Sequence, residues 1–250
     1  MINGLYSLFI LCYIYTGKRV DIMDQIEVKI WEFLKGLGTI LLYFVISMTV
    51  SSLLVDYYYH QNIIIATLVQ ILVYVILLLI LGAIYHKRLW HDFKNFKKEY
   101  VGIAIKNWII GLGAMLICNI IISSIAGGLA TNEEANRNLI ALYPVSSLIT
   151  MVFIGPLVEE ITFRASFKKA FSKWYTFAIV TSLLFGAAHI QSFFVNKDWL
   201  ELLYLIPYSS LGFFFAKAFY ETDNIFTSYL AHMIHNGICV ILIILLLVIG

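Results

Sequence analysis

The chain has 250 residues, 61% hydrophobic and only 13% charged, with a formal net charge of +2. Soluble domains are about 45–50% apolar and about 25% charged, so the solvent of this chain is largely lipid. The small net charge, and the absence of a basic stripe interleaved with aromatics, exclude nucleic acid as the expected partner. Cys12, Cys118 and Cys239 lie singly in apolar runs without metal-ligand spacing, and read as small apolar fillers rather than a disulfide framework.

Residues 5–15 (LYSLFILCYIY) are apolar but shorter than the roughly 17–25 residues of a straight span. No basic residue precedes them and no small-residue cleavage site follows, which fits a signal peptide poorly. An interfacial segment, a short span and an extension upstream of Met23 stay open. Seven long apolar stretches follow, at about 36–55, 63–85, 107–130, 147–165, 175–195, 200–219 and 224–249. The chain holds only three prolines, so most helices should be unbroken. Gly155-Pro156 is the exception, expected to kink the fourth stretch and to free backbone groups that line a wet cavity.

Basic residues test this pattern independently. Lys18, Arg19, Lys29 and Lys35 precede the first long stretch, and Lys87, Arg88, Lys94, Lys97, Lys98 and Lys106 follow the second. Arg164, Lys168, Lys169 and Lys173 follow the fourth, and Lys217 ends the sixth. Of the 17 Lys and Arg, only Arg137 and Lys197 fall on the other faces. By the positive-inside rule, residues 18–35 and 86–106 are cytoplasmic and the C-terminus is outside. The expected fold is all-α: a polytopic transmembrane helical bundle of about seven long membrane helices plus the short N-terminal hydrophobic segment, in a bacterial cell membrane.

Three sections are expected. Residues 1–35 form a hydrophobic segment and cytoplasmic lead-in. Residues 36–106 form two membrane helices and a basic loop, and residues 107–250 a helical core. The loop at 86–106 mixes bases with Trp90, Phe93, Phe96 and Tyr100; it reads as a cytoplasmic anchor that fixes topology, with lipid head-group or partner docking as the functional alternative. No linker or repeat divides the chain.

The last four stretches contain groups that hydrocarbon penalises: Glu159 and Glu160 in GPLVEEITFR, His189 in FGAAHI, and His232 with Asn236 in HMIHN. A charge near the bilayer centre costs roughly 2.5–3.5 kcal/mol on insertion scales, so such residues usually face a cavity. Counted from the turn near Lys173 and Trp174 at about 1.5 Å per residue, Glu160 and His189 both lie roughly 20 Å in, and His232 and Asn236 lie roughly 14 and 20 Å from Asp223. Three helices therefore bring polar groups to nearly one level, expected as a shared pocket beneath the inner leaflet. Glu160 and Arg164 are i,i+4 partners, leaving Glu159 to point elsewhere. His232 and Asn236 share a face, and Phe185 could wall the pocket.

These residues resemble the CAAX-protease and bacteriocin-processing (CPBP, Abi-type) family, marked by EExxxR, FxxxH and HxxxN on successive membrane helices. Here the motifs read Glu159-Glu160-Ile-Thr-Phe-Arg164, Phe185-Gly-Ala-Ala-His189 and His232-Met-Ile-His-Asn236. The resemblance covers about residues 107–249. It implies an intramembrane endopeptidase acting on a membrane-associated peptide or protein precursor, with membrane lipid as its other partner. By the resemblance, Glu159 is the general base, assisted by His189; His232 and Asn236 stabilise the oxyanion; Glu160 and Arg164 order the site. Burial of a carboxylate favours basicity and preorganised donors stabilise an oxyanion, so the chemistry is sound on its own terms. No GxSxG and no Cys near a His at this level offers another nucleophile. The family is often described as a metalloprotease; a divalent metal such as zinc would take Glu159, His189 and His232, whereas a metal-free glutamate mechanism uses the same residues without it.

Blander readings accompany these. His235 reads as a packing histidine, and His60, His86 and His91 as solvated residues in or beside loops. Glu133, Glu134 and Arg137 read as a hydrated outer cap, and Asp198 and Glu201 as interfacial residues of no special role. Glu159 and Glu160 could be a purely structural ion-pair cluster. Two rival functions are a non-catalytic scaffold or bacteriocin-immunity protein of the same fold, which would tolerate Glu159→Ala, and a transporter, which would show paired discontinuous helices.

Overall fold

The computed structural model describes residues 25–49 and 63–249, and all of its regular structure is helical. The apolar run at 5–15, Cys12, Lys18, Arg19, His60 and the end of the first expected span lie outside the described residues. Helix α1 spans Gln25–Thr49, α2 Ile63–Lys94, α3 Glu99–Ala126 and α4 Thr131–Leu142. A composite element follows: α5 (Pro144–Ser147), a π-helical turn (Leu148–Ile154), α6 (Gly155–Phe163) and a 3-10 turn (Ala165–Ala170). Then come α7 (Trp174–His189), α8 (Gln191–Asn196), a 3-10 turn (Glu201–Tyr204), α9 (Leu205–Thr222) and α10 (Ile225–Ile249). Six of these segments are long and apolar enough to cross a membrane, and α7 is a shorter apolar helix. Together they match the seven expected stretches, and the chain is an all-α polytopic bundle and an integral membrane protein.

Beyond the earlier start of α1 at Gln25 and the added helix α4, the boundaries differ from expectation in three further places. The basic stretch at 86–106 is not a loop: α2 runs on through Lys94 and α3 starts at Glu99, so His86 and His91 are helical residues. The fifth stretch ends at His189 rather than 195, with Ile190 outside helical geometry (φ −112°, ψ 39°) before α8. The sixth opens with a 3-10 turn and becomes α-helical only at Leu205, which puts Pro207 in the first turn of α9, where its missing N–H costs nothing.

The core lies between α2, α6, α7 and α9, where Leu77, Leu81, Val158, Ile161, Phe177, Ala216 and Phe219 are buried. By contrast Ile117, Ile120 and Ile121 of α3 and Leu245, Leu246 and Val248 of α10 are exposed, as expected of residues that face lipid tails. Lipid supplies no hydrophobic drive for helix association, so close backbone approach through small residues matters more. Gly186 of α7 shows this: a Cβ there would overlap Ser209 Oγ and come within 3.0 Å of the Leu205 carbonyl oxygen on α9.

One end of the bundle is tied by ions. Asp92 is wholly buried; its Oδ2 accepts from Arg88 Nε (2.8 Å) and from the backbone N–H of Ile225 (2.8 Å), which caps the start of α10. Asn224 Nδ2 donates to the Asp92 carbonyl at 2.6 Å. Arg88 Nη2 reaches Asp223 Oδ1 at 3.0 Å, and Lys168 Nζ reaches the same oxygen at 3.2 Å. Partial burial pushes the Asp223 carboxyl up, but the hydrogen bond and charge of Arg88, with Lys168, outweigh it and hold it below the usual range. This clasp fixes where α10 begins, and through it the height of His232.

Candidate functional site

The glutamates sit on α6, and the local sequence explains how that helix is presented. In the π-turn before it, the Gly155 N–H bonds to the Thr150 carbonyl five residues back. A Cβ on Gly155 would stand 2.6 Å from that oxygen, so only glycine closes this turn. Pro156 has no N–H to continue the pattern to Met151. Asn236 of α10 supplies the missing donor, its Nδ2 lying 2.8 Å from the Met151 carbonyl. The expected interruption at Gly155-Pro156 is therefore a π-turn pinned from a neighbouring helix, a feature often found at functional sites.

Beyond that turn, Glu160 and Arg164 are wholly buried and paired, with Arg164 Nη1 3.3 Å from Glu160 Oε1. Arg164 Nη2 donates to the Gly212 carbonyl at 3.2 Å, and its guanidinium lies 4.4 Å from the Phe185 ring centroid. His232 closes the group from α10, its Nδ1 3.1 Å from Glu160 Oε1 and its ring stacked on Phe215 at 4.8 Å. A carboxylate only accepts, so Nδ1 of His232 carries hydrogen and Nε2 faces the other way.

What Nε2 faces is Glu159. Glu159 Oε2 lies 3.8 Å from His232 Nε2 and 4.0 Å from His189 Nε2. His189 reaches this position as the last residue of α7, with Nδ1 donating to the Phe185 carbonyl at 2.8 Å and Nε2 left as an acceptor. Phe185 forms the expected wall, in contact with both rings at 4.3 and 5.6 Å. Glu159 and His189 retain 17% and 18% side-chain exposure, whereas Glu160 has none; the Glu159 Oε2 that faces both imidazoles is itself buried.

The structure thus brings Glu159, Glu160, Arg164, His189 and His232 together, with Asn236 one turn beyond His232 on the Met151 carbonyl. His235 sits apart, with Cys239 Sγ 3.8 Å away. His189 stands at the end of α7 remote from Lys173, about 22 Å of helix from Trp174.

Metal ligation meets a geometric test. Tetrahedral bonds of about 2.0–2.1 Å separate donor atoms by about 3.3 Å, less than the 3.8 and 4.0 Å separations at Glu159. Among the described residues no group of three or more His, Cys, Asp or Glu is arranged to hold a metal ion. As placed, Glu159, His189 and His232 do not fit one.

Two acidic residues had more to them than their sequence positions suggested. Glu201, read as interfacial, is only 3% exposed and caps α4: Thr131 N–H and Oγ1 reach its carboxylate at 3.1 Å each. Asp92, placed by sequence in a basic stretch, is buried and caps α10. Glu133, Glu134 and Arg137, expected in a loop, are residues of helix α4, where Arg137 Nε and Glu133 Oε1 form an exposed ion pair at 2.9 Å. Tyr208, against His189 at 4.8 Å, belongs to no motif; the cluster of Tyr204, Tyr208, Ser209 and Ser210 inside an apolar span was the available signal.

Fold and site define an integral membrane protein built around a buried cluster of carboxylates, imidazoles and one guanidinium. Residues 141–238 match the family model described as "Type II CAAX prenyl endopeptidase Rce1-like". That segment contains all three motifs, so the family-model match and the CPBP resemblance fall on the same residues. An uncharacterized protein of Mycoplasma capricolum subsp. capricolum is 34% identical over 166 residues, 61% of this chain and 46% of that protein. A Bacillus subtilis protein named "Putative membrane peptidase YdiL" is 27% identical over 179 residues, 67% of this chain and 66% of that protein. The chain thus spans under half of the first relative and just under two thirds of the second. No solved structure matches the chain significantly.

Proposed function

We propose that this protein is an intramembrane endopeptidase that hydrolyses a peptide bond in a membrane-associated peptide or protein precursor. One observation carries the reading: Glu159 Oε2 stands within 4.0 Å of both His189 Nε2 and His232 Nε2, at the edge of a buried ionic group. These separations are too long for direct hydrogen bonds and suit a shared water molecule. Glu159 and the His189 Nε2 lone pair are both acceptors, so a water there donates to both and turns its oxygen lone pairs outward.

In the proposed reaction Glu159 takes a proton from that water as its oxygen attacks the scissile carbonyl. His189 orients the water. The carbonyl oxygen gains negative charge and is met by donors from α10. His232 offers Nε2–H as the imidazolium, and Asn236 offers the amide hydrogen not held by Met151. The proton on Glu159 then passes to the leaving amine as the C–N bond breaks. Glu160 and Arg164 transfer no proton in this scheme; Glu160 holds His232, and Arg164 balances its charge. The family match, and the name of the Bacillus subtilis relative, support peptidase activity.

The test is peptide release from membrane-associated substrates by protein purified in detergent, with elemental analysis of the same preparations. Glu159→Gln and His189→Ala should each reduce cleavage by about 10²-fold or more, the usual scale of general-base contributions, with protein yield unchanged. Cleavage that persists in both variants removes the proposed site. A phenotype that survives Glu159→Ala with no peptide release favours a scaffold.

A further inference from the structure

The His189 ring is in contact with two aromatic rings. Phe185, one turn back on α7, lies 4.3 Å away at an interplanar angle of 44°, and Tyr208 of α9 lies 4.8 Å away at 30°. The Nδ1 bond to the Phe185 carbonyl anchors one edge of the imidazole. Rotation about that anchor swings Nε2 toward or away from Glu159, and the two rings limit it.

Tyr208 is itself held. Its hydroxyl accepts from Asn132 Nδ2 at 3.3 Å. Asn132 is the second residue of α4, and the first, Thr131, is fastened by N–H and Oγ1 to the buried Glu201 carboxylate. Tyr204 Oη adds a bond to the Gly128 carbonyl at 2.6 Å. The turn that leads into α4 is therefore joined to residues 201–208 at three points, and the innermost of these touches the ring against His189.

We propose that Tyr208 is a positioning residue for His189, and that Asn132 at the start of α4 sets where Tyr208 stands. The inference rests on the reading of His189 as a participant in hydrolysis. It assigns α4 a part in the site without contact with the reacting atoms, since its first two residues fix the aromatic ring that keeps Nε2 turned to Glu159.

The experiment compares Tyr208→Leu, Tyr208→Phe and Asn132→Ala with wild type in detergent. A misplacement of about 1 Å commonly costs about 10²-fold in rate. Tyr208→Leu should therefore lower kcat by about 10- to 100-fold with KM within about twofold, and Tyr208→Phe, which keeps the ring, should stay within about threefold of wild type. Histidine-¹⁵N NMR gives a readout independent of catalysis. The His189 resonance, assigned by its loss in His189→Ala, should move in Tyr208→Leu, and move in the same direction but less in Asn132→Ala and Tyr208→Phe, which delete the same hydrogen bond. A His189 resonance unmoved by both Tyr208→Leu and Asn132→Ala overturns the proposal, as does a Tyr208→Phe loss equal to that of Tyr208→Leu. If Tyr208→Leu does not fold, Asn132→Ala alone decides through the resonance. If wild type cleaves nothing, the peptidase reading fails while the NMR arm still answers for Tyr208.

Discussion

His232 Nδ1 and Glu160 Oε1 meet at 3.1 Å, and the same oxygen lies 3.3 Å from Arg164 Nη1. One carboxylate thus joins α6 to α10 and balances a guanidinium that has no access to water. Coulomb attraction and desolvation nearly cancel for an intact buried pair, but removing one partner strands the other charge. The two adjacent glutamates should consequently fail in different ways.

Glu160→Ala leaves Arg164 buried and uncompensated, which costs about 3–5 kcal/mol. Thermal unfolding in detergent should show a large fall in Tm, or the protein should be lost on purification. Glu159→Gln, at the partly exposed edge of the group, should unfold within about 1 kcal/mol of wild type while losing activity. Equal stability losses for both substitutions would contradict the division between an ordering carboxylate and a reacting one.

Gly186→Ala tests the α7–α9 seam. The added methyl overlaps Ser209 Oγ and meets the Leu205 backbone oxygen at 3.0 Å. Ser209 can rotate away, but the backbone cannot, so α7 must shift. Overpacking of this kind costs about 1–3 kcal/mol. His189 ends the same helix one turn on, so Gly186→Ala should also reduce peptide release several-fold. A wild-type Tm for Gly186→Ala would show that the seam is looser than its geometry.

Much of this was legible in the sequence, and the reasons are local. Long apolar runs and the alternation of basic residues give the helices, because lipid demands both. The motif residues converge because i,i+4 spacing and matched distances from turns fix face and height together, as Glu160–Arg164 illustrates. What sequence hid was long-range. Asp92 caps Ile225 across more than a hundred residues, and Glu201 caps Thr131 across seventy; Arg88 is an i,i+4 partner of Asp92, but that pair announces a helical ion pair and not the distant cap. The end of α7 at His189 was hidden for another reason: Ile190 carries no breaker, and only packing tells why the helix stops there.

Asp92→Ala tests the clasp. It leaves the Ile225 N–H buried without an acceptor and frees Arg88 from one of its anchors. A stranded buried donor costs about 1–3 kcal/mol. Because the clasp sets the start of α10, hydrogen exchange should rise first in amides 225–229, ahead of those around Glu159. Exchange unchanged at the start of α10 would remove the clasp as its anchor.

The bond between Asn236 and Met151 makes the sharpest prediction, because its necessity traces to one proline. The Met151 carbonyl has two backbone donors in reach of the helical pattern. The Gly155 N–H goes to Thr150 instead, and Pro156 has none. Asn236→Leu therefore leaves a carbonyl unsatisfied in an apolar interior, at about 1–3 kcal/mol. Pro156→Ala puts an N–H back at the position from which the π pattern reaches Met151. Combined with Asn236→Leu, it should recover part of the lost stability, with a coupling of about 0.5–3 kcal/mol in a double-mutant cycle of Tm-derived stabilities. Peptide release should not recover in the double variant, because the amide offered to the oxyanion is still missing. Strict additivity in stability would show that Asn236 does not stand in for the absent proline N–H; recovery of both stability and cleavage would show that it does nothing else.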